Sequence, residues 1–325
     1  MKPHHELVER FRRDLRPLAR DPARLALAVS GGPDSLALLF LAQAALPHKI
    51  AAATVDHRLR PESAREAERV AAICKDIHVP HVTLEADVDT GSASLQQQAR
   101  LARYRALSQW MGRERIYLLA TAHHLDDQAE TVLMRLLRGS GLSGLAGIPA
   151  KGPLPYGNAG QKVIRPLLGW RRSELAELVA EEGVEPTDDP TNRDRRFGRA
   201  RLRRLMARTP WLDPEPLAKS AAALHQAERA LIWAADRLWR ERTARNGSSM
   251  TLDARELPPE LVRRLLVRAL RTIRPAASPR GEEIERLMRK LKRGDKATLA
   301  GVICEGGEKW RFSLEPGRSR STDRS

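Results

Sequence analysis

The sequence predicts an α/β protein: a parallel sheet covered by helices on both faces, then a helical linker and a small α+β C-terminal domain. Three observations carry this prediction. Short apolar runs alternate with amphipathic segments through the first 137 residues, at the spacing of right-handed βαβ units. A Pro-rich stretch, Pro210-Trp211-Leu212-Asp213-Pro214-Glu215-Pro216, then breaks the pattern and marks a boundary. At 325 residues the chain is also long enough for two cores. The domains expected are residues 1–215 and 248–316, joined by a linker over 216–247 and followed by a disordered basic tail over 317–325.

Residues His4 to Arg20 read as a surface helix leading into the first strand. Leu25-Ala26-Leu27-Ala28-Val29 is apolar without alternation, as in a strand buried on both faces. Leu36 to Leu46 reads as a helix, so Ser30-Gly31-Gly32-Pro33-Asp34-Ser35 lies on a strand-to-helix turn. Ile50–Val55 is the second strand, ending in Asp56-His57, and an amphipathic helix follows from about Ser63 to Ile77. His81–Ala86 is the third strand, with a helix from about Ser92 to Met111 behind it. Ile116–Ala122 is the fourth, ending at His123-His124. Ligands of such sheets bind beyond the carboxyl ends of the strands, so Ser30, Asp56 and His123 are expected around one crevice.

The Ser30–Ser35 turn has the makings of an anion site. N–H groups at a helix start are unpaired and lie at the positive end of the helix dipole. Gly31 and Gly32 lack a Cβ, so phosphate oxygens can approach the main chain. Pro33 sits where a missing N–H is tolerated, Ser30 and Ser35 bring hydroxyls, and Asp34 brings a carboxylate able to reach a phosphate-bound Mg²⁺. No Lys follows the glycines, which excludes a Walker A loop, and the Ser30–Ser35 turn is not a Gly-x-Gly-x-x-Gly dinucleotide turn.

Lys and Arg number 57 against 41 acids, a formal charge of +16, which argues for a polyanionic partner, RNA or DNA. Aromatic residues are only 4%, too few for a broad base-stacking platform. The two cysteines, Cys74 and Cys304, form no Cys-x-x-Cys pair, which excludes a zinc ribbon, an iron–sulfur cluster and a disulfide framework. A charged N-terminus and the lack of a membrane-length apolar run give the expectation of a soluble, cytoplasmic protein.

A second constellation runs Ala122-His123-His124-Leu125-Asp126-Asp127-Gln128-Ala129-Glu130-Thr131. Asp126 or Asp127 is expected to cap a helix whose apolar face is Val132, Leu133, Leu136 and Leu137. Capping needs one of them, and Asp127 is the one assigned to function, facing Asp34 across the sheet. Next, Arg138-Gly139-Ser140-Gly141-Leu142-Ser143-Gly144-Leu145-Ala146-Gly147-Ile148 is too rich in glycine for a stable helix. It reads either as a flexible connection or as a backbone-rich loop moulded to a nucleotide. Eight arginines and one acid then fall between Thr191 and Pro210. A long helix over Leu217 to Arg245 is expected to stop at Asn246-Gly247. Beyond it come helices near Pro259–Ile273 and Gly281–Arg293 and a strand pair around Ala297–Cys304 and Lys309–Leu314.

The Ser-Gly-Gly-Pro-Asp-Ser turn resembles the pyrophosphate-binding loop of the N-type ATP pyrophosphatases. The His-His-x-Asp-Asp-x-x-Glu-Thr segment and the Gly-rich segment after it resemble those of the tRNA(Ile)-lysidine synthetase family. So do Val55-Asp56-His57-Arg58-Leu59-Arg60, Gln98-Ala99-Arg100-Leu101-Ala102-Arg103-Tyr104, Ile164-Arg165-Pro166-Leu167-Leu168 and Asp189-Pro190-Thr191-Asn192. These matches run in order over roughly residues 25–205. The family's Arg-Asn-x-Ile/Leu-Arg motif reads Arg199-Ala200-Arg201-Leu202-Arg203 here, with Ala200 in place of Asn.

The resemblance implies a Rossmann-like N-type ATP pyrophosphatase domain and a compact C-terminal substrate domain. It implies that ATP adenylates O2 of the wobble cytidine of tRNA(Ile) with a CAU anticodon. The ε-amino group of free L-lysine then attacks C2 and displaces AMP. Ser30, Gly31, Gly32, Pro33, Asp34, Ser35 and His57 would bind the nucleotide, and Asp34 and Asp127 would hold Mg²⁺. Catalysis would fall to Asp34, Asp127, Arg103, Arg199 and His123, with Asp127 and His123 as alternatives for the lysine proton. The expected partners are that tRNA, lysine and a second copy in a homodimer, with no membrane. Two alternatives are a 2-thiolating tRNA enzyme of the same superfamily, which would need cluster-binding cysteines, and a non-catalytic RNA-binding protein on the same fold.

Overall fold

The computed structural model describes residues 3–58, 62–87, 95–187, 198–209 and 211–316, with backbone only at 95, 96 and 198–200. The Asp189–Asn192 patch and the tail after Gly317 lie outside the described residues, as do Leu59 and Arg60. The chain divides into two compact units, Met1–His225 and Gln226–Ser325. No helix among the described residues is long and apolar enough to cross a membrane.

The first unit opens with α1 (His5–Leu15), which is shorter than expected and more than a surface helix. Val8, Phe11 and Leu15 share one face at spacings of three and four, and that face is buried. Then come β1 (Leu25–Ala28), α2 (Pro33–Ala45), β2 (Ile50–Asp56) and α3 (Glu62–Asp76). They are followed by β3 (His81–Glu85), α4 (Leu95–Arg113), β4 (Leu118–Ala120) and α5 (Leu125–Leu136). These are the elements read from the sequence, with β4 cut to three residues. Four further elements carry no strong local signal: α6 (Leu142–Leu145), β5 (Lys151–Pro153), β6 (Lys162–Ile164) and α7 (Arg172–Glu181). The arginine-rich segment forms α8 (Gly198–Arg208).

Among the described residues the strands form one sheet in the order β3-β2-β1-β4-β6-β5, parallel except for the β5–β6 pairing. Leu27 at its centre stands opposite Ala52 on one side and Ala120 on the other. Alternate residues of the strands feed two cores. Leu25 and Leu27 pack with Leu36, Leu38, Leu39 and Leu41 of α2. On the other face, Ala26, Ala51 and Ala53 pack with Leu107, Trp110 and Met111 of α4. The four α2 leucines are essentially inaccessible, because α2 is enclosed by α1, α7 and the sheet. A helix apolar all round needs such a setting, and each leucine buried there contributes about 1.5–3 kcal/mol.

The unit boundary falls inside α9 (Pro214–Arg242), which ends three residues before the expected stop. Asn246-Gly247 instead turns a hairpin between β7 (Thr243–Asn246) and β8 (Ser249–Leu252), with Gly247 at φ +59°. α10 (Pro259–Ile273) and α11 (Gly281–Lys292) follow as expected. The expected strand over Ala297–Cys304 is a second hairpin, β9 (Lys296–Leu299) and β10 (Val302–Glu305), and β11 (Trp310–Leu314) completes the series. Ala300 (φ +51°) and Gly301 (φ +72°) make its two-residue turn. The sheet β7-β8-β11-β10-β9 is antiparallel and shares a core with Leu265, Leu266, Leu270 and Leu291 of α10 and α11. Cys74 lies in the first unit's core and Cys304 in the second's, and burial pushes each thiol up to about 12.

Candidate active site

The Ser30–Ser35 turn leaves β1 and enters α2 at Pro33, at the carboxyl end of the central strand. Gly31 needs to be glycine for two reasons. Its φ is +82°, and a Cβ would stand 2.8 Å from Thr187 Oγ1 and 3.2 Å from Val70 Cγ2. The Gly31 carbonyl accepts from Thr187 N–H at 2.9 Å. Ser35 Oγ accepts from Ser30 N–H and donates to Gly32 O, both at 3.0 Å, with Ser30 Oγ at 3.2 Å. The Ser35 hydroxyl is thus committed to the shape of the turn.

Asp34, in the first turn of α2, places Oδ2 3.5 Å from His124 Nε2, while its Oδ1 is buried without a hydrogen-bond partner. His124 is inaccessible and is the N-cap of α5. Neither Asp126 nor Asp127 is the N-cap residue itself: Asp127 completes a capping box with His124, and Asp126 is engaged by the start of α7. Asp127 Oδ2 accepts from His124 N–H at 3.2 Å and lies 3.6 Å from Nε2 of the same ring. Asp126 Oδ2 accepts from Arg172 N–H at 2.9 Å, tying the start of α5 to the start of α7, and stands 3.6 Å from His124 Nδ1. Burial opposes a charge on the His124 ring, but hydrogen bonding to Asp126 and Asp34 and the nearby Asp127 charge outweigh it, raising its pKa to about 10. His124 Nδ1 also lies 3.4 Å from Asp127 N–H, the other half of the capping box at the start of α5.

A second cation faces this cluster. Arg203 Nε donates to Glu130 Oε1 at 2.8 Å, and the Glu130 side chain is 1% exposed. Burial works against the Arg203 charge, yet Glu130, Asp127 and Asp34 together hold its pKa above the usual arginine value. Arg199 lies one turn earlier on α8, and its side chain, like that of Ala200, is outside the described residues. His57 follows β2, and its Nε2 accepts from Arg103 Nε at 3.3 Å. Burial, then the Arg103 charge, lower its pKa to about 4, so it is a neutral acceptor, and its Nδ1 is buried without a partner. His123 Nδ1 meets Thr121 Oγ1 at 2.9 Å.

The Gly-rich segment is clamped rather than loose. Gln128 of α5 accepts from Ile148 N–H at 2.6 Å and donates to Ile148 O at 2.7 Å. Arg135 Nη1 donates to Gly144 O and Gly147 O, at 2.6 and 2.9 Å. Gly147 sits at φ +69°, where a Cβ would meet Gln128 Oε1 at 2.4 Å. α5 therefore carries its chemistry in its first turns, and Leu136 and Leu137, expected on its apolar face, are 55% and 76% exposed. Sequence reading did not single out His124, Gln128, Glu130 or Arg135 for these roles. His124, Gln128 and Glu130 do stand within a motif quoted above, which was the available signal.

The parallel sheet, the glycine turn at its central strand and the carboxylates facing that turn define an ATP-using domain of the PP-loop class, and residues 3–209 match the PP-loop domain model. The fold is similar to that of a U34-tRNA thiolase from Methanococcus maripaludis, with a TM-score of 0.55 at 18% identity over 68% of this chain and 79% of that one. Similarity to two tRNA(Ile)-lysidine synthases extends over nearly the whole length. That of Zymomonas mobilis is 42% identical over 92% of this chain and 90% of its own. That of Novosphingobium aromaticivorans is 46% identical over 95% and 94%. The chain belongs to the tRNA(Ile)-lysidine synthase family.

Proposed function

We propose that this chain ligates L-lysine to C2 of the wobble cytidine of tRNA(Ile) with a CAU anticodon, using ATP and releasing AMP and pyrophosphate. The observation that carries the reading is the meeting of the Ser30–Ser35 turn with Asp34, Asp127 and Arg203 at the carboxyl ends of the strands. A cytosine carbonyl oxygen is a poor leaving group, and transfer of AMP to it makes a good one. Main-chain N–H groups of the turn and Arg203, with Arg103 and Arg199, neutralise the charge that develops as pyrophosphate departs. Ser30, Gly31, Gly32, Pro33 and Ser35 shape the phosphate cradle, and His57 is assigned to the nucleotide beside Arg103.

Asp34 and Asp127 suit Mg²⁺ by their chemistry. Both direct an oxygen to within 3.6 Å of one His124 nitrogen, and Asp34 Oδ1 is buried without a partner. Two carboxylates, with substrate phosphates completing the shell, are an ordinary way of holding that ion. Its contribution when bound is to offset charge on the triphosphate. The lysine ε-ammonium must lose a proton before attack. His123, held at Nδ1 by Thr121, is assigned to take it, which leaves Asp127 to its metal and capping roles. Residues 1–215 are assigned as the catalytic domain, 216–247 as linker and 248–316 as the tRNA-binding domain of a cytoplasmic enzyme.

The test is incorporation of radiolabelled lysine into a transcript of that tRNA, with and without ATP. ATP-dependent labelling that is lost when the wobble cytidine is replaced is the expected result. No labelling while the tRNA still binds would overturn the reading in favour of a non-catalytic RNA-binding role.

A further inference from the structure

Trp233 on α9 is 66% exposed, an unusual setting for the largest apolar side chain. At helical spacing it shares its face with Arg229 and Arg237, four residues either way, and with Arg240, seven residues on. All four side chains are exposed and belong to the second unit. The acids of the same stretch are engaged elsewhere. Glu228 pairs with Arg264 and Asp236 with Arg268, both at 2.6 Å and both across to α10. Glu241 takes Arg237 at 2.9 Å. Among the described residues Arg229 and Arg240 have no acidic partner. Within residues 226–325, Lys and Arg outnumber Asp and Glu by 23 to 14.

We propose that the Trp233–Arg229–Arg240 face of α9 is an RNA-docking surface, on which an unstacked base of the tRNA substrate lies against the indole while the guanidiniums hold its flanking phosphates. This rests on the tRNA-modifying function proposed above and adds to it a specific contact surface. The occupant follows from charge: an exposed aromatic ring among unpaired cations, on a unit with a large basic excess, complements a polyanion with a π-face. A second protein chain would need apolar or acidic complementarity, and on this stretch Ile232 is the only other large exposed apolar side chain.

The experiment compares full-length Trp233→Ala, Trp233→Phe and Arg229→Gln with the parent for binding of the CAU tRNA transcript, alongside sedimentation of each protein without RNA. Trp233→Ala should bind about tenfold more weakly and Trp233→Phe within about twofold of the parent, because any aromatic face can stack. Arg229→Gln should reduce the slope of log affinity against log salt by about 0.7–0.9, the loss of one phosphate contact. KM for tRNA should rise in Trp233→Ala with kcat unchanged. Unaltered tRNA affinity in Trp233→Ala would overturn the proposal, as would a changed oligomeric state at unchanged affinity, which would make this a protein–protein face. A parent that binds no tRNA would overturn the functional reading itself, whereas a parent active beside indifferent variants would overturn the docking surface alone.

Discussion

At the scale of single residues, His124 organises the site, with carboxylate oxygens of Asp34, Asp126 and Asp127 all within 3.6 Å of its ring. Their roles differ by what else they touch. Asp126 satisfies the first N–H of α7, whereas Asp34 keeps a buried oxygen without a partner. Asp34→Ala or Asp127→Ala is expected to raise the adenylation barrier by about 3 kcal/mol, the size of effect seen when one charge-stabilising group is lost. Single-turnover formation of adenylated tRNA reads this directly, with tRNA affinity as the control, and weakened tRNA binding in either variant would count against the assignment. Glu130→Gln weakens the support of Arg203 and should cost about 2 kcal/mol in urea unfolding, in the range of a hydrogen bond to a charged group. The Asp pair and Glu130 were visible in the sequence as a motif. His124 stands in the same motif, but its role was not legible there, because it comes from the approach of Asp34 on another helix, which no local pattern encodes.

At the scale of elements, the glycine turn after β1 was legible because strand, turn and helix signals there are local and agree. Gly31→Ala combines a left-handed backbone with a contact of 2.8 Å to Thr187, whereas Gly247→Ala meets only the backbone penalty, with nothing within 4 Å. Gly247→Ala should therefore lose about 1 kcal/mol of stability. Gly31→Ala should lose more, and ATP binding with it. Calorimetry on both variants, with ATP titration, checks the order, and equal losses would contradict it. Asn-Gly misled the reading of the long helix, since the pair serves helix ends and hairpin turns alike. The three-residue β5 and β6 escaped notice because Lys151-Gly152-Pro153 has no strand pattern of its own and is paired only by tertiary context. The amphipathic spacing of α1 was present in Val8, Phe11 and Leu15, and the charges between them obscured it.

At the scale of the whole molecule, the sequence pattern carried the α/β class and the basic character, and the structure supplies two units with separate cores. Leu27→Ala and Leu265→Ala each empty a fully buried site, one per unit, and should each cost about 2–5 kcal/mol. Calorimetry is expected to show each substitution lowering a different transition, and a single transition moved equally by both would argue against separate cores. The basic excess predicts that tRNA binding weakens steeply with salt. The central claim is that the crevice activates the tRNA base before lysine takes part. Exchange of labelled pyrophosphate into ATP tests it most directly, with tRNA and lysine each supplied alone. Exchange with the CAU tRNA and no lysine, lost when the wobble cytidine is replaced, is the predicted result. Exchange that needs lysine and ignores tRNA would contradict the account, because the amino acid would then be the group that is adenylated.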